Sequence, residues 1–420
     1  MFRPYRLITP VSLATLASLV GAACLAAACG GDEPGPDPTL DGGSSSSTSG
    51  AASSSSSSGS SGASSSSGSS GTSSGDDGGS SSSGGDGGSD LRIEAPARTW
   101  TWIDFPESRC RNGSATGIGV NLNPGSDKVM IYLQGGGACF NSSTCAGNPQ
   151  SFSAANLGDR STGIFDRGDT ENPVKDFNMV FVPYCTGDVH AGNAENVMVD
   201  GVTEPQQFVG YANIGKYLTR IVPTFPNATQ VLLTGESAGG FGSAANYDHV
   251  QNAFGTVPVA LVDDSGPTLD SSVVAPCLQQ QWREYWGLDD TLLADCGAGC
   301  NDPNDFLTDY VASIRARHPN LRAGLISSTS DQVIRGFFGF SANNCTAQVP
   351  NTTAPAFAAA LQTFRTAVQT PGPAFGTFYI DSTKHTWLSS EYTRSEDGVQ
   401  MRAFVGNVLS GGPAQHLGPD

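Results

Sequence analysis

The fold is decided by Val231-Leu232-Leu233-Thr234-Gly235-Glu236-Ser237-Ala238-Gly239-Gly240. Its apolar opening reads as a buried strand. It turns through Gly235-Glu236-Ser237-Ala238-Gly239, a G-x-S-x-G, and the small residues that follow (Gly239, Gly240, Gly242, Ser243, Ala244, Ala245) can start a helix at once. Strand, sharp turn and helix are the setting in which such a serine stands exposed at a sheet edge as a nucleophile. Gly235 and Gly239 leave room for the turn, and a helix N-terminus behind Ser237 favours developing negative charge.

Outward from that joint, strands alternate with helical stretches, which implies a mainly parallel sheet flanked by helices, an α/β-hydrolase-like fold. Before the joint, strands are expected at 98–103, 117–122, 129–133 and 179–183, and a helix over 208–220 stopped by Pro223. After it come strands at 257–262, 321–327 and 376–380, with helices over 306–317, 356–368 and 394–409. Residues 267–303 read as an irregular cap insertion holding Trp282, Trp286 and three cysteines.

Val129-Met130-Ile131-Tyr132-Leu133 runs straight into Gln134-Gly135-Gly136-Gly137-Ala138-Cys139-Phe140. Glycines at a strand end leave backbone N–H groups unshielded. In hydrolases with this elbow such a loop supplies half of an oxyanion hole, and the residue after the serine, here Ala238, supplies the rest.

A serine nucleophile needs a base, and the base an orienting carboxylate, in the chain order Ser, acid, His. His249 lies in the helix leaving the elbow, His318 at a helix end before Pro319, and His416 in the tail. His385 alone follows a late strand at the active end of the sheet and is the expected base. Two acids compete. Asp331 follows the strand before the histidine strand, the usual place. Asp264 follows the strand after the elbow, where it can also serve as a structural acceptor of N–H bonds in its own turn.

Four stretches together resemble the pectin acetylesterase / Notum family: Leu133 to Asn141 with Cys145 beyond, Asn178 to Asp188, Gly235 to Gly240, and Val262 to Gly266. The resemblance covers most of residues 98–409. It implies a serine esterase with Ser237 as nucleophile, Asp331 as acid and His385 as base. The N–H groups of Gly136, Gly137 and Ala238 would form the oxyanion hole. Gly137-Ala138 stands where many members carry a bulky aromatic, and no cysteine precedes His385, so the acyl and leaving-group pockets are expected to differ from theirs.

The chain has 420 residues and a net charge of −18. From Leu91 on, 19 Lys and Arg face 31 Asp and Glu, so the folded part is itself acidic and nucleic acid is not an expected partner. Residues 1–29 read as an export signal: Arg3 and Arg6, an apolar run from Val11 to Ala28, then Ala26-Ala27-Ala28-Cys29 resembling a lipobox with Cys29 lipidated. Cys24 is a second candidate, and a plain secretory signal or an uncleaved span are alternatives. Residues 30–90, mostly Ser and Gly, read as a disordered tether, and 91–420 as the hydrolase domain. The expected location is the bacterial cell envelope or the exterior, with a membrane partner through the lipid anchor.

Eight cysteines lie beyond the signal, an even count that implies disulfides in an exported chain. Cys139 and Cys145 are close enough to bridge locally, Cys110 with Cys185 is expected next, and Cys277, Cys296, Cys300 and Cys345 would tie down the cap. Paired C-x-x-C knuckles are missing, so no metal or cofactor is expected. The expected protein is a monomer that hydrolyses acetyl or short-chain acyl esters of a small molecule or glycan through an acyl-enzyme. The alternatives are a catalytically silent surface lipoprotein that binds glycans or acyl groups, and an acyltransferase using the same triad.

Overall fold

A computed structural model of the chain describes residues 91–300, 302, 305–345 and 351–420. The expected signal, the Cys29 lipidation site and the 30–90 tether lie outside the described residues. No helix among the described residues is long and apolar enough to cross a membrane.

Nine strands form the main sheet: β1 (Thr101–Arg109), β2 (Ala115–Asn121), β3 (Lys128–Leu133), β4 (Asn178–Val182), β5 (Gln230–Glu236), β6 (Val259–Asp264), β7 (Arg322–Ser328), β8 (Ala374–Ile380) and β9 (His416–Leu417). Their spatial order is β1-β2-β4-β3-β5-β6-β7-β8-β9. β2 pairs antiparallel with both β1 and β4, and every later pairing is parallel. β2 therefore runs alone against the rest, and the carboxyl ends of β3 to β8 share one edge.

The central strands are buried on both faces. In β5, Val231 and Leu233 join one apolar cluster and Leu232 the other. That is why the sequence there is continuously apolar rather than alternating. On one face the helix α1 (Gly210–Thr224) covers the sheet with Ile214, Tyr217, Leu218 and Ile221. On the other face the C-terminal helix (Met401–Ser410) does so with Phe404, Val405 and Val408.

Several expected elements differ. Pro223 lies inside α1 rather than ending it before its last turn; so close to the helix end it removes only one intrahelical bond. The 267–303 region is largely helical, with Pro276–Trp286 and Leu292–Cys296 as its α-helices. The helix leaving the elbow stops at Ala245, and His249 sits on a separate one, Tyr247–Phe254. The 394–409 helix begins only at Met401, after a two-residue hairpin. His416 belongs to edge strand β9, not to a loose tail, and its Nδ1 lies 3.1 Å from Thr377 Oγ1.

All eight cysteines pair: Cys110–Cys185, Cys139–Cys145, Cys277–Cys345 and Cys296–Cys300. The first joins the end of β1 to the segment after β4 across 75 residues. In the chain-entropy account a loop of that length is worth about 4 kcal/mol. Replacing Cys110 and Cys185 together by serine is expected to lower stability by about that amount, read from the midpoint of urea unfolding. An unchanged midpoint would show that the crosslink does not restrict the unfolded chain.

Candidate active site

Ser237 follows β5 and opens the helix α2 (Ala238–Ala245). Its backbone has φ 57° and ψ −122°, a region that a residue with a Cβ enters only when its surroundings enforce it. Here they do. The Ser237 N–H donates to the Asp264 carbonyl at 2.8 Å, and α2 is drawn so close to β3 that a Cβ on Gly239 would lie 1.9 Å from the Leu133 carbonyl oxygen. The Ser237 side chain stays at the sheet edge, with the residue 8 % exposed.

The glycine loop after β3 lies against this turn: a Cβ on Gly135 would come within 2.9 Å of Ser237 Cβ. Three side chains take its carbonyls. His190 Nε2–H donates to Gln134 O at 2.8 Å, Asn148 Nδ2 to Gly136 O at 2.8 Å, and Tyr184 OH to Gly137 O at 2.8 Å. His190 is buried, which drives its pKa down to about 4 and keeps it neutral. Gly137 has φ 83°, open to glycine alone at low cost. With their carbonyls taken, the glycine peptides keep their N–H groups for another partner. Among the described residues no hydrogen bond uses the N–H of Gly136, Gly137 or Ala238. The Cys139–Cys145 bridge and the bond from Trp286 Nε1 to Cys139 O, 3.0 Å, close the loop from behind.

Asp331 follows β7, fully buried. One oxygen caps a short helix, accepting from Val333 N at 2.9 Å and Ile334 N at 3.0 Å. The other accepts from His385 Nδ1 at 2.7 Å. Its loop and the histidine loop are stitched together by Ser330 N to Ser382 O, Gln332 N to Thr383 O and Ser328 Oγ to Lys384 O. His385 Nε2 is buried and has no hydrogen-bond partner among the described residues. Burial disfavours the imidazolium, but the Asp331 carboxylate, helped by Asp264 and Glu236, outweighs it and raises the His385 pKa.

Of the two competing acids, Asp331 alone bonds the imidazole. Within its own turn Asp264 accepts only the Ser265 hydroxyl among the described residues, and the N–H bond expected of it there falls to Asp263, which accepts from Gly266 N at 2.8 Å. Asp264 Oδ2 reaches across to Trp387 N and Leu388 N, at 2.7 and 2.8 Å. The same residue thus bonds Ser237 through its carbonyl and the histidine loop through its side chain. The other candidate histidines lie elsewhere: His249 stacks on Tyr211, His318 pairs with Asp248, and His416 is in β9.

His190, Tyr184, Asn148 and Glu236 were not singled out from sequence. Tyr184 and His190 stand in the stretch after β4, whose abrupt change from apolar to polar at a strand end was the available signal.

A cavity opens at Ser237. Gly137, Ala138 and Ala238 form its near end, and its walls are almost wholly apolar, with Trp282 and Trp286 of the cap helix, Phe337 and Phe338 beyond Asp331, and Leu288 and Leu292. The two tryptophans stack at 5.5 Å. Its volume is about 70 Å³. Among the described residues no His, Cys, Asp and Glu group is arranged to hold a metal ion.

The pectinacetylesterase family model matches residues 100–295. Palmitoleoyl-protein carboxylesterase notum2 of Xenopus laevis is 33 % identical over 175 residues, covering 39 % of this chain and 35 % of that protein. Human palmitoleoyl-protein carboxylesterase NOTUM is 29 % identical over 178 residues, 39 % of this chain and 34 % of that one. The chain thus spans about a third of the length of these curated relatives. A crystal structure of the Wnt deacylase Notum from Drosophila superposes with a TM-score of 0.57 at 19 % identity, over 75 % of this chain and 95 % of the other. That likeness bears on the fold, and it is the fold expected from sequence.

The raised His385 pKa carries a pH dependence. A base works when neutral, so Ser237 reactivity toward a fluorophosphonate is expected to be full at alkaline pH and lost as pH falls through a midpoint above 6.5. Asp331→Asn should slow labelling by about three to four orders of magnitude and move that midpoint down. Labelling independent of pH would remove His385 from the reaction.

Proposed function

We propose, from the premise that this chain belongs to the pectinacetylesterase / Notum family, that it is an exported serine carboxylesterase acting on acyl esters through an acyl-enzyme. The observation that carries the reading is the His385–Asp331 pair at 2.7 Å on the sheet edge from which the strained Ser237 projects, beside an apolar cavity.

The chemistry follows from the parts. With Nδ1–H held by Asp331, His385 has Nε2 free as the proton acceptor. It takes the Ser237 proton as the oxygen attacks the ester carbonyl. The oxyanion forms against the N–H groups of Gly136, Gly137 and Ala238, each worth about 10²–10³ in turnover. Nε2–H then protonates the departing alcohol. Water, deprotonated by the same nitrogen, releases the acid and restores Ser237. Asp331 stays ionised throughout and holds the ring in one tautomer.

The cavity speaks to the acyl group. Its apolar lining suits an alkyl chain and offers little to a sugar. The lining runs from Ala138 beside Ser237 out to Leu292, Phe306 and Phe338, more apolar wall than an acetyl group can touch, so we assign a longer acyl chain than the acetyl or short-chain one expected from sequence. The relatives named above as palmitoleoyl-protein carboxylesterases are consistent with this. The alcohol half meets an acidic domain, which disfavours a polyanionic carrier. Four disulfides fit an oxidising compartment, in keeping with the export signal and Cys29 anchor read from residues 1–29.

Two measurements test this. Ser237→Ala should fold and lose hydrolysis of aryl esters; turnover equal to the parent would sink the assignment. Across p-nitrophenyl esters from acetate to octanoate, kcat/KM should rise by up to about fourfold per methylene that enters the cavity, the equivalent of about 0.8 kcal/mol each. Ala138→Phe, which narrows the near end, should flatten that rise while acetate hydrolysis survives. A profile that falls steadily from acetate would return the enzyme to short-chain esters.

A further inference from the structure

Glu236, between the glycine and serine of the elbow, is 9 % exposed and has no part in the proton relay. Its Oε1 accepts from Ser389 N at 2.6 Å and its Oε2 from Ser389 Oγ at 2.9 Å. It is paired in register with Asp264 on the adjoining strand. Asp264 Oδ2 takes the two preceding amides, Trp387 N and Leu388 N. Ser265, which donates its hydroxyl to Asp264 Oδ1 at 2.8 Å, takes Thr386 N at 3.3 Å. All four N–H groups that follow His385 are thus bound by side chains at the ends of β5 and β6. The chain enters this run through Thr386 at φ 63°, a conformation unfavourable for a β-branched residue, so the bonds impose it.

We propose that Glu236 and Asp264 are positioning residues that hold the His385 loop in register with Ser237. Both carboxylates are fixed to the elbow itself: Glu236 precedes Ser237 in the chain, and the Asp264 carbonyl accepts the Ser237 N–H. The loop that carries the base is therefore referenced to the nucleophile directly, rather than only to Asp331 one strand further on. Two buried carboxylates side by side need compensation. Glu236 has it from the Tyr132 hydroxyl and from Arg160, whose guanidinium lies 3.5 Å over the Phe181 ring. Among the described residues Asp264 is held by the two amides and the Ser265 hydroxyl, and burial beside Glu236 raises its pKa. The charged and titratable groups facing the pair are His385, Tyr132 and Arg160, with Asp331 behind the imidazole.

The inference rests on the esterase reading, and its test separates the two. In the full-length protein, active sites are counted by stoichiometric fluorophosphonate uptake, and rates are expressed per labelled site. Glu236→Gln and Asp264→Asn should each lower kcat about 10- to 100-fold, the scale of a misplacement near 1 Å, with KM within twofold. Each removes a negative charge that raises the His385 pKa, so the acidic limb of kcat/KM should move to lower pH. Ser389→Ala, which breaks only the hydroxyl bond to Glu236, should lower kcat several-fold without moving the limb, and it decides the matter if the carboxylate variants fail to fold. Unchanged rates per site and an unmoved limb in the carboxylate variants, or an unchanged rate in Ser389→Ala where it decides, would overturn the positioning role alone. Wild-type protein that neither hydrolyses esters nor takes up the phosphonate would instead end the esterase reading and this role with it.

Discussion

At Ser237 the chain turns from strand to helix through a backbone conformation that costs on the order of 1–3 kcal/mol for a residue with a side chain. The turn survives because its neighbours leave no other path. The Asp264 carbonyl holds the serine amide, and Gly239 lets α2 close on the last carbonyl of β3. Relaxing the turn would part β3 from β5 at the sheet's centre. The same closeness brings Gly135 against the serine, so the glycine loop has to lie beside the hydroxyl. The glycine loop, the cavity mouth and the histidine loop are all placed relative to this junction.

Burial explains which parts of the fold could be read from sequence. β3, β5, β6 and β7 are covered on both faces, so their apolar runs are unbroken and bounded by polar turns. The cap gave no such signal. Its helices at 288–290, 292–296 and 297–300 are too short to show a period, and they are held by packing and by Cys296–Cys300 rather than by propensity. β9 has two residues among glycine and proline, and it exists because Thr377 and Phe378 offer an open edge. Pro223 reads as a stop signal, yet near a helix C-terminus the bond it costs is one of few left to lose.

The site divides along another line. Groups proposed to react need rare chemistry in a set chain order, and Ser237, Asp331 and His385 stand out on that ground. Groups that hold them in place need only a donor or an acceptor, which many residues supply. Nothing in the local sequence of His190 says that its ring will meet Gln134, 56 positions earlier. Asp264 ends β6 and Asp331 follows β7, neighbouring strands about 5 Å apart at one edge of the sheet. Either could reach the imidazole or its loop, and side-chain direction, fixed by tertiary packing, chose between them.

The two carboxylates beside the elbow also bear on how the base is tuned. A buried imidazole next to one aspartate already gains basicity, and two more anions nearby add to it. Their oxygens, however, are turned toward amides 387 to 389 and the Ser265 and Ser389 hydroxyls rather than toward the ring. Arg160 and Tyr132 offset Glu236 further. The imidazole therefore feels these anions as a field, not as competing hydrogen-bond partners, and its single direct acceptor stays Asp331. A carboxylate contacting Nε2 would have captured the nitrogen proposed to take the serine proton. Binding those oxygens to the loop's own backbone keeps the charge close and the nitrogen open.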